Sequence, residues 1–344
     1  MTARIICENP EIKRLIGNET PQKVVKLLGD GYGEPALKSI ISGPLDADKQ
    51  DYLLRDSRFC GVQYGVFDIH QLHRSLVLSG PDDERQLMIG GDGIHAVEQY
   101  VMAKYYMTTN VYRHKVRLIT DQMIIRAIKL GFEKDRISAL QRLFKFDSSE
   151  KFVNNYLDWD DARFMAEFCI NVPNTACGKM LESLRSRRLH KRIFQAQISE
   201  FAENARETIK RLSDPAAAGL RAKVESEVAK IVQDQKSRGF NGEFDADALI
   251  IHTFTIKSVR ESSRNDEAGM MVAGTGTPAY FDQKSTLFGS INEKMDEAYC
   301  EVYAPVVWES PTARKKVIAD IREQILSKIN DLCETPEVEK GAMS

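Results

Sequence analysis

Apolar residues recur every three or four positions over most of this chain, the spacing that puts them on one side of a helix. From Ile94 to about Phe132 the pattern is nearly continuous, and Val116, Ile119, Met123, Ala127 and Leu130 make one stripe that reads as core. Short helices fit Pro10 to Ile41, broken at Gly17-Asn18 and at Gly29-Asp30-Gly31-Tyr32-Gly33, followed by a helix over about Asp46 to Phe59. Further helices fit 149–157, 160–170 and 178–186. Asp214-Pro215, an N-cap followed by proline at the first helical position, opens another that runs to about Lys236. Ser310-Pro311 opens the last, in which Val317, Ile321, Ile325 and Ile329 share a face. Strand patterns are few. Ser75 to Leu78 and Gln86 to Ile89 flank the turn residues Ser79 to Asp83 and predict a small hairpin inserted between helices, while Leu249 to Ser258 alternates as a strand. The pattern predicts a mostly α chain: a helical part over 1–195, an α+β region over 196–335 and a frayed tail over 336–344.

Composition narrows the function classes. A chain of 344 residues, 42% hydrophobic and 28% charged, can bury one large core or two smaller ones. Forty-eight Lys and Arg against 50 Asp and Glu leave a formal net charge of -2, so no global field favours nucleic acid or an anionic membrane, and any anion site must be local. Apolar runs such as Val306-Val307-Trp308 fall far short of the ~20 residues that cross a bilayer, and no cleavable signal pattern opens the chain. The expected location is the cytoplasm. The six cysteines contain no Cys-x-x-Cys pair and read as reduced thiols. No phosphate-binding Gly-rich loop is present, and Gly90-Gly91-Asp92-Gly93 and Gly274-Thr275-Gly276 read as turns.

One helix carries chemistry. Asp48, Tyr52 and Asp56, at i, i+4 and i+8, lie on one face with Asp51 and Arg55 between them, while Leu53 and Leu54 point elsewhere. A carboxylate here can ligate a divalent cation, Lys49 can meet phosphate, and a tyrosine with a second carboxylate can hold a sugar hydroxyl. A solvated helix face, with Asp48 stabilised by the helix dipole, explains the same polarity without function.

The surrounding text favours function. The segment Ile41 to Asp56, ISGPLDADKQDYLLRD, continues through Gly61-Val62-Gln63-Tyr64-Gly65 and Phe67-Asp68, and a second block runs from Gly93-Ile94-His95-Ala96-Val97-Glu98 through Lys104 to Val111-Tyr112-Arg113-His114-Lys115. Together they resemble HD-superfamily deoxynucleoside triphosphate triphosphohydrolases, bacterial relatives of the vertebrate antiviral dNTPase. The resemblance is close over 1–200 and loose beyond. It implies an HD-domain-like helical core and a divalent metal, magnesium, manganese or a transition metal, whose fourth ligand falls on Asp48 as the catalytic residue. By the same motif positions Lys49 is the phosphate-binding lysine, Tyr52 and Asp56 face the deoxyribose, Lys104 meets the triphosphate, and Tyr112 packs against the sugar and disfavours a 2′-hydroxyl. Arg113 and His114 follow close to the nucleotide. In a complete site, metal-activated water would attack the α-phosphate of a dNTP, releasing deoxynucleoside and triphosphate.

The rest of the HD ligand set is missing from this sequence. None of His70, His73, His95, His114, His190 and His252 is followed by aspartate, and only 47 residues precede Asp48. The chain is expected to begin inside the HD domain, through a truncated start, a split gene whose partner chain supplies the first helices, or lost catalysis. The alternative function is a non-catalytic nucleotide-binding or regulatory subunit. Relatives are commonly nucleotide-regulated oligomers, which makes Lys115 and the basic run Arg185, Arg187, Arg188, Lys191 and Arg192 candidates for an effector phosphate site, although a solvated basic helix end is the simpler explanation of the run. Gln71 or a neighbour stands where the vertebrate relative has an effector arginine. A homo-oligomer is expected. His252 reads as a packed or edge histidine.

Overall fold

A computed structural model describes residues 1–29, 35–81, 85–147, 149–235, 239–241, 246–256, 270–274, 277–290 and 297–334. The fold is mostly α, with an α+β C-terminal part. Its contacts form two compact units: the described residues of Met1–His114 with those of Lys257–Met295, and the described residues of Lys115–Ile256 with those of Asp296–Ser344.

In the first unit the Ala47–Phe59 and Ile94–Met107 helices bury Leu53, Val97, Tyr100, Val101 and Met107 in one core, joined by Leu72 from the Ile69–Arg74 helix and by Met270, Val272, Phe281 and Phe288. Burying such side chains is worth about 1.5–3 kcal/mol each before the entropy of ordering them is charged against it. The predicted hairpin forms, Leu76–Ser79 pairing antiparallel with Gln86–Ile89. It is not an isolated insertion: Ile89 also pairs in parallel with Val272, and Met271–Val272 pairs antiparallel with Ala279–Tyr280, giving a four-stranded sheet. A Cβ on Gly93 would collide with the Ser75 side chain, so only glycine lets the chain turn from the sheet into the Ile94–Met107 helix there. Ser285 Oγ donates to Glu98 Oε1 at 2.5 Å and anchors the late segment on that helix.

The second unit packs the Lys115–Glu133, Ser138–Phe144 and Ala176–Arg185 helices around Ile119, Met123, Ala127, Leu130, Leu140 and Leu181. Val116, expected in the stripe, is 40% exposed because it lies in the first turn, before the helix meets its neighbours. Lys191–Gln197, Glu297–Ala304 and Ile250–Ile256 form an antiparallel sheet with Glu297–Ala304 in the middle. One face packs Phe194, Ile251 and Val302 against the Ala218–Gln233 and Pro311–Cys333 helices, where Val317, Ile321, Ile325 and Ile329 are all buried as expected. Ile250 and Tyr303 of the same sheet belong to the helical cluster that contains Ile119. This explains why the contacts divide after His114 and not near 195: residue 195 sits within a strand whose neighbours bind helices of both sequence halves. A buried ion pair of Arg126 with Glu225, whose Oε1 also accepts from the Ile251 N–H at 3.1 Å, ties these parts together.

Caps mostly follow the sequence. Ser310 Oγ accepts from the Ala313 N–H at 3.0 Å, but the Asp214 side chain makes no cap bond, and a 3-10 turn at Pro215–Ala217 precedes the helix proper. No described helix is long and apolar enough to cross a membrane. All six cysteines are free. Residues 336–344, expected to fray, and most of the turns expected at 29–33, 79–83 and 274–276 lie outside the described residues.

Candidate functional site

The site is built on the Ala47–Phe59 helix and begins with its N-cap. Asp46 Oδ1 accepts from the Lys49 N–H at 2.7 Å, closing the first turn. A Cβ on Gly43 would collide with the Ser39 carbonyl, so the preceding turn requires glycine by close approach. Tyr100 donates its hydroxyl to the Pro44 carbonyl at 3.0 Å and pins this turn to the core. Ser57 Oγ donates to the Val62 carbonyl at 2.7 Å and accepts from the Gly65 N–H at 3.2 Å, folding the following loop back over the helix.

Tyr112 arrives from the other block. The Ile94–Met107 helix continues into a π-turn at Thr108–Tyr112, in which one extra residue widens the backbone. Thr108 Oγ1 donates to the Lys104 carbonyl at 2.7 Å and Thr109 Oγ1 to the Tyr105 carbonyl at 3.0 Å, satisfying acceptors at the widened turn. Tyr112 thereby meets the carboxylate helix: its hydroxyl donates to Asp56 Oδ2 at 2.9 Å, and its ring stands edge-on to Tyr52, centroids 5.8 Å apart.

Electrostatics keep both tyrosines protonated. Burial, then the bond to Asp56, pushes the Tyr112 phenol well above its usual value. Burial pushes Tyr52 up as well, helped by the negative charges of Asp46, Asp48 and Asp56. Asp46, Asp48, Asp56 and Tyr112 thus surround Tyr52 with hydrogen-bonding groups. Asp46 was not among the expected site residues, and its polar cap signal could have revealed it.

The other expected residues fall into place unequally. Asp48 is exposed on the first turn of the same helix. Lys49 turns inward, its ammonium donating to Asp46 Oδ2 at 2.6 Å and to the Gly43 carbonyl at 2.9 Å, so in this conformation it serves the cap. Lys104 is half-buried in the last turn before the π-turn. Arg113 is half-buried, and burial lowers its guanidinium pKa, while His114 is exposed. The effector candidates lie in the second unit. Lys115 and Arg187 are exposed, and Arg187 occupies the left-handed region with φ 56°. The basic run does not act as one cluster. Arg185 pairs with Glu182 at 2.7 Å, Arg188 donates to Ser186 Oγ at 3.0 Å, Arg192 pairs with buried Glu301 at 2.6 Å, and Lys191 stays exposed at the strand start. Alternation along the strand separates Lys191 from Arg192, which sequence proximity could not show. His252 is buried, stacked on Phe254.

The donor set does not fit the implied metal. Among the described residues no group of three or more His, Cys, Asp or Glu side chains could hold an ion, so Asp48, expected as one ligand, has no such companions there.

The family model described as HD associated region matches residues 67–306, and the chain belongs to that family. It is 38% identical over 127 residues to the uncharacterized protein YwfO of Bacillus subtilis, covering 36% of this chain and 28% of that protein. It is 40% identical over 89 residues to the uncharacterized protein MJ1154 of Methanocaldococcus jannaschii, covering 26% of this chain and 20% of that one. The chain thus spans less than a third of the length of these two relatives. Among solved structures it is similar to a hypothetical protein from Aquifex aeolicus, with TM-score 0.60 and 22% identity over 95% of this chain and 70% of the other. It is also similar to a phosphohydrolase from Bacteroides thetaiotaomicron, with TM-score 0.61 and 16% identity over 88% of this chain and 71% of the other. At such identities the likeness shows the fold.

Proposed function

We propose that this HD-associated-region protein carries the deoxynucleoside-reading part of an HD-type phosphohydrolase that converts a dNTP into deoxynucleoside and triphosphate. The observation that carries the reading is the Tyr112 to Asp56 hydrogen bond, with Tyr52 edge-on beside it, on the helix that bears Asp48. A deoxyribose has an apolar C2′ edge and a 3′-hydroxyl. The Tyr112 ring suits the first, and the Tyr52 hydroxyl with the second Asp56 oxygen suits the other. A 2′-hydroxyl would be rejected because it meets a ring and finds no partner, the costly situation for a desolvated polar group. Lys104 and Arg113 supply positive charge for the triphosphate, His114 offers a ring N–H, and Lys49 joins them if its ammonium leaves Asp46. In the overall reaction water's hydroxyl joins the α-phosphorus, and the deoxyribose 5′-oxygen leaves with the proton.

A second reading, a nucleotide-binding regulatory chain without hydrolysis of its own, is favoured by one observation: Asp48 has no companion set of ligands among the described residues. Both readings require sugar recognition, and calorimetric titration of the chain with dATP and ATP tests it. Binding of dATP about tenfold tighter or more is expected, a difference of about 1.4 kcal/mol; equal affinities would reject both. Triphosphate release by the pure chain then separates them.

A further inference from the structure

The second unit contains a cavity of about 200 Å³, far from any residue named by the HD motifs in sequence, between the Ser138–Phe144 and Glu150–Leu157 helices and the start of Asp161–Met165. Arg142 and Leu143 line one side, Phe152 and Tyr156 another, and Trp159 and Arg163 close it. We propose that this cavity is a binding site for a small planar aromatic anion, a ring bearing a carboxylate or a phosphate.

Three independent features carry the proposal. The first is charge. Neither the Arg142 nor the Arg163 guanidinium has a carboxylate partner among the described residues, whereas Arg126, Arg185 and Arg192 of this unit are all paired. Asp158 is the one acidic side chain in the lining, so two cations outweigh it. The second feature is preorganisation. The Arg163 guanidinium lies 4.6 Å from the Trp159 ring centroid, and one of its nitrogens donates to the Asp158 carbonyl at 3.0 Å. Trp159 in turn stacks on buried Phe168, centroids 5.2 Å apart and rings 5° from parallel. A guanidinium fixed this way has lost its rotamer freedom in advance, and its planar fork matches the two oxygens of a carboxylate or phosphate. The third is the backbone. Phe168 belongs to a π-turn at Ala166–Ile170, a conformation that marks functional sites often enough to matter here, since the other described π-turn is the one that presents Tyr112.

The aromatic walls select the ring. Phe152 and Tyr156 lie 6.0 Å apart and 20° from parallel, and Tyr156 is 41% exposed at the mouth. The volume is below the roughly 300–1,000 Å³ of sites for drug-sized ligands and suits one or two fused rings.

The test is calorimetric titration of the full chain with 1-naphthyl phosphate, 1-naphthoate and inorganic phosphate. Both ring anions are expected to bind one per chain, and inorganic phosphate about tenfold more weakly or worse, because it forgoes the stacking surface. The R142A/R163A double variant should lose about tenfold or more in affinity for both ring anions. Asn155→Trp, which fills the cavity from an exposed lining position, should abolish binding while leaving the melting temperature near wild type. Tyr112→Ala should leave binding unchanged. The proposal is overturned by a lack of saturable binding, by wild-type affinity in both the double and the filling variants, or by loss of binding in Tyr112→Ala alone, which would place the ligand in the nucleotide site. Equal affinity for inorganic phosphate would overturn the aromatic part.

Discussion

His190 shows how a single side chain can record its surroundings. It is 3% exposed, its Nε2 lies 2.8 Å from the Ala248 carbonyl, and its Nδ1 is buried without a partner. The carbonyl is an acceptor, so Nε2 carries the proton of the neutral ring. Burial lowers the pKa to about 4, the Ala248 bond opposes this in part, and the charge of Arg126 adds to the lowering. The folded pKa therefore lies below the ordinary ~6.5 of the unfolded chain, which takes up a proton first as pH falls. Stability from this group is full above about pH 6.5 and is lost between there and about pH 4, on the order of 3 kcal/mol. Urea unfolding at pH 7 and pH 4.5 should show that loss in wild type and a smaller one in His190→Phe. Equal losses would mean that His190 is not buried neutral. The sequence predicted six isolated histidines without metal spacing, but nothing in it distinguished buried His190 from exposed His114, because its burial depends on a segment 58 residues away that carries Ala248.

At the scale of elements, local patterns were legible and their interruptions were not. The Ala47–Phe59 helix, the Leu76–Ser79 and Gln86–Ile89 hairpin and the Pro311–Cys333 helix all stood out in the sequence through caps and periodicity. The expectation of one nearly continuous helix from Ile94 to Phe132 missed the π-turn at Thr108–Tyr112 and the break before Lys115. A one-residue insertion barely disturbs hydrophobic periodicity, yet it turns every later side chain by about 100° around the axis. For that reason inserting one alanine after Asn110, an exposed residue of the π-turn, should carry Tyr112 about 100° further around the axis and away from Asp56. Far-UV circular dichroism should stay near wild type while the preference for dATP over ATP collapses. An unchanged preference would show that the π-turn does not position Tyr112.

At the scale of the whole molecule, the sequence separates a helical part from an α+β part, while the contacts divide elsewhere because the sheet of the second unit recruits helices from 115–185. The Arg126 to Glu225 pair is the clearest bond of this kind, joining residues 99 apart. Glu225→Ala would strand a buried guanidinium and an amide, and should cost about 3–5 kcal/mol in urea unfolding; a loss under about 1 kcal/mol would mean that water reaches Arg126 freely. Apolar side chains also remain uncovered in the first unit, among them Leu15 at 69% exposure, Leu28 at 48% and Leu37 at 47%. Large uncovered apolar surface favours association, so light scattering at high micromolar concentration is expected to find a species larger than the 38.9 kDa chain, and a monodisperse monomer would count against it.

The central claim is that the cluster of Tyr52, Asp56 and Tyr112 reads the sugar, and the ratio of Kd for ATP to Kd for dATP in Tyr112→Ala, measured alongside the melting temperature, tests it most directly. Removing the ring should weaken dATP binding and bring the ratio towards one, with the fold intact because Tyr112 is only half-buried. A protein that melts well below wild type while keeping the wild-type ratio would contradict the account and make Tyr112 a packing residue, since truncating a core aromatic costs about 3–5 kcal/mol of stability without touching selectivity.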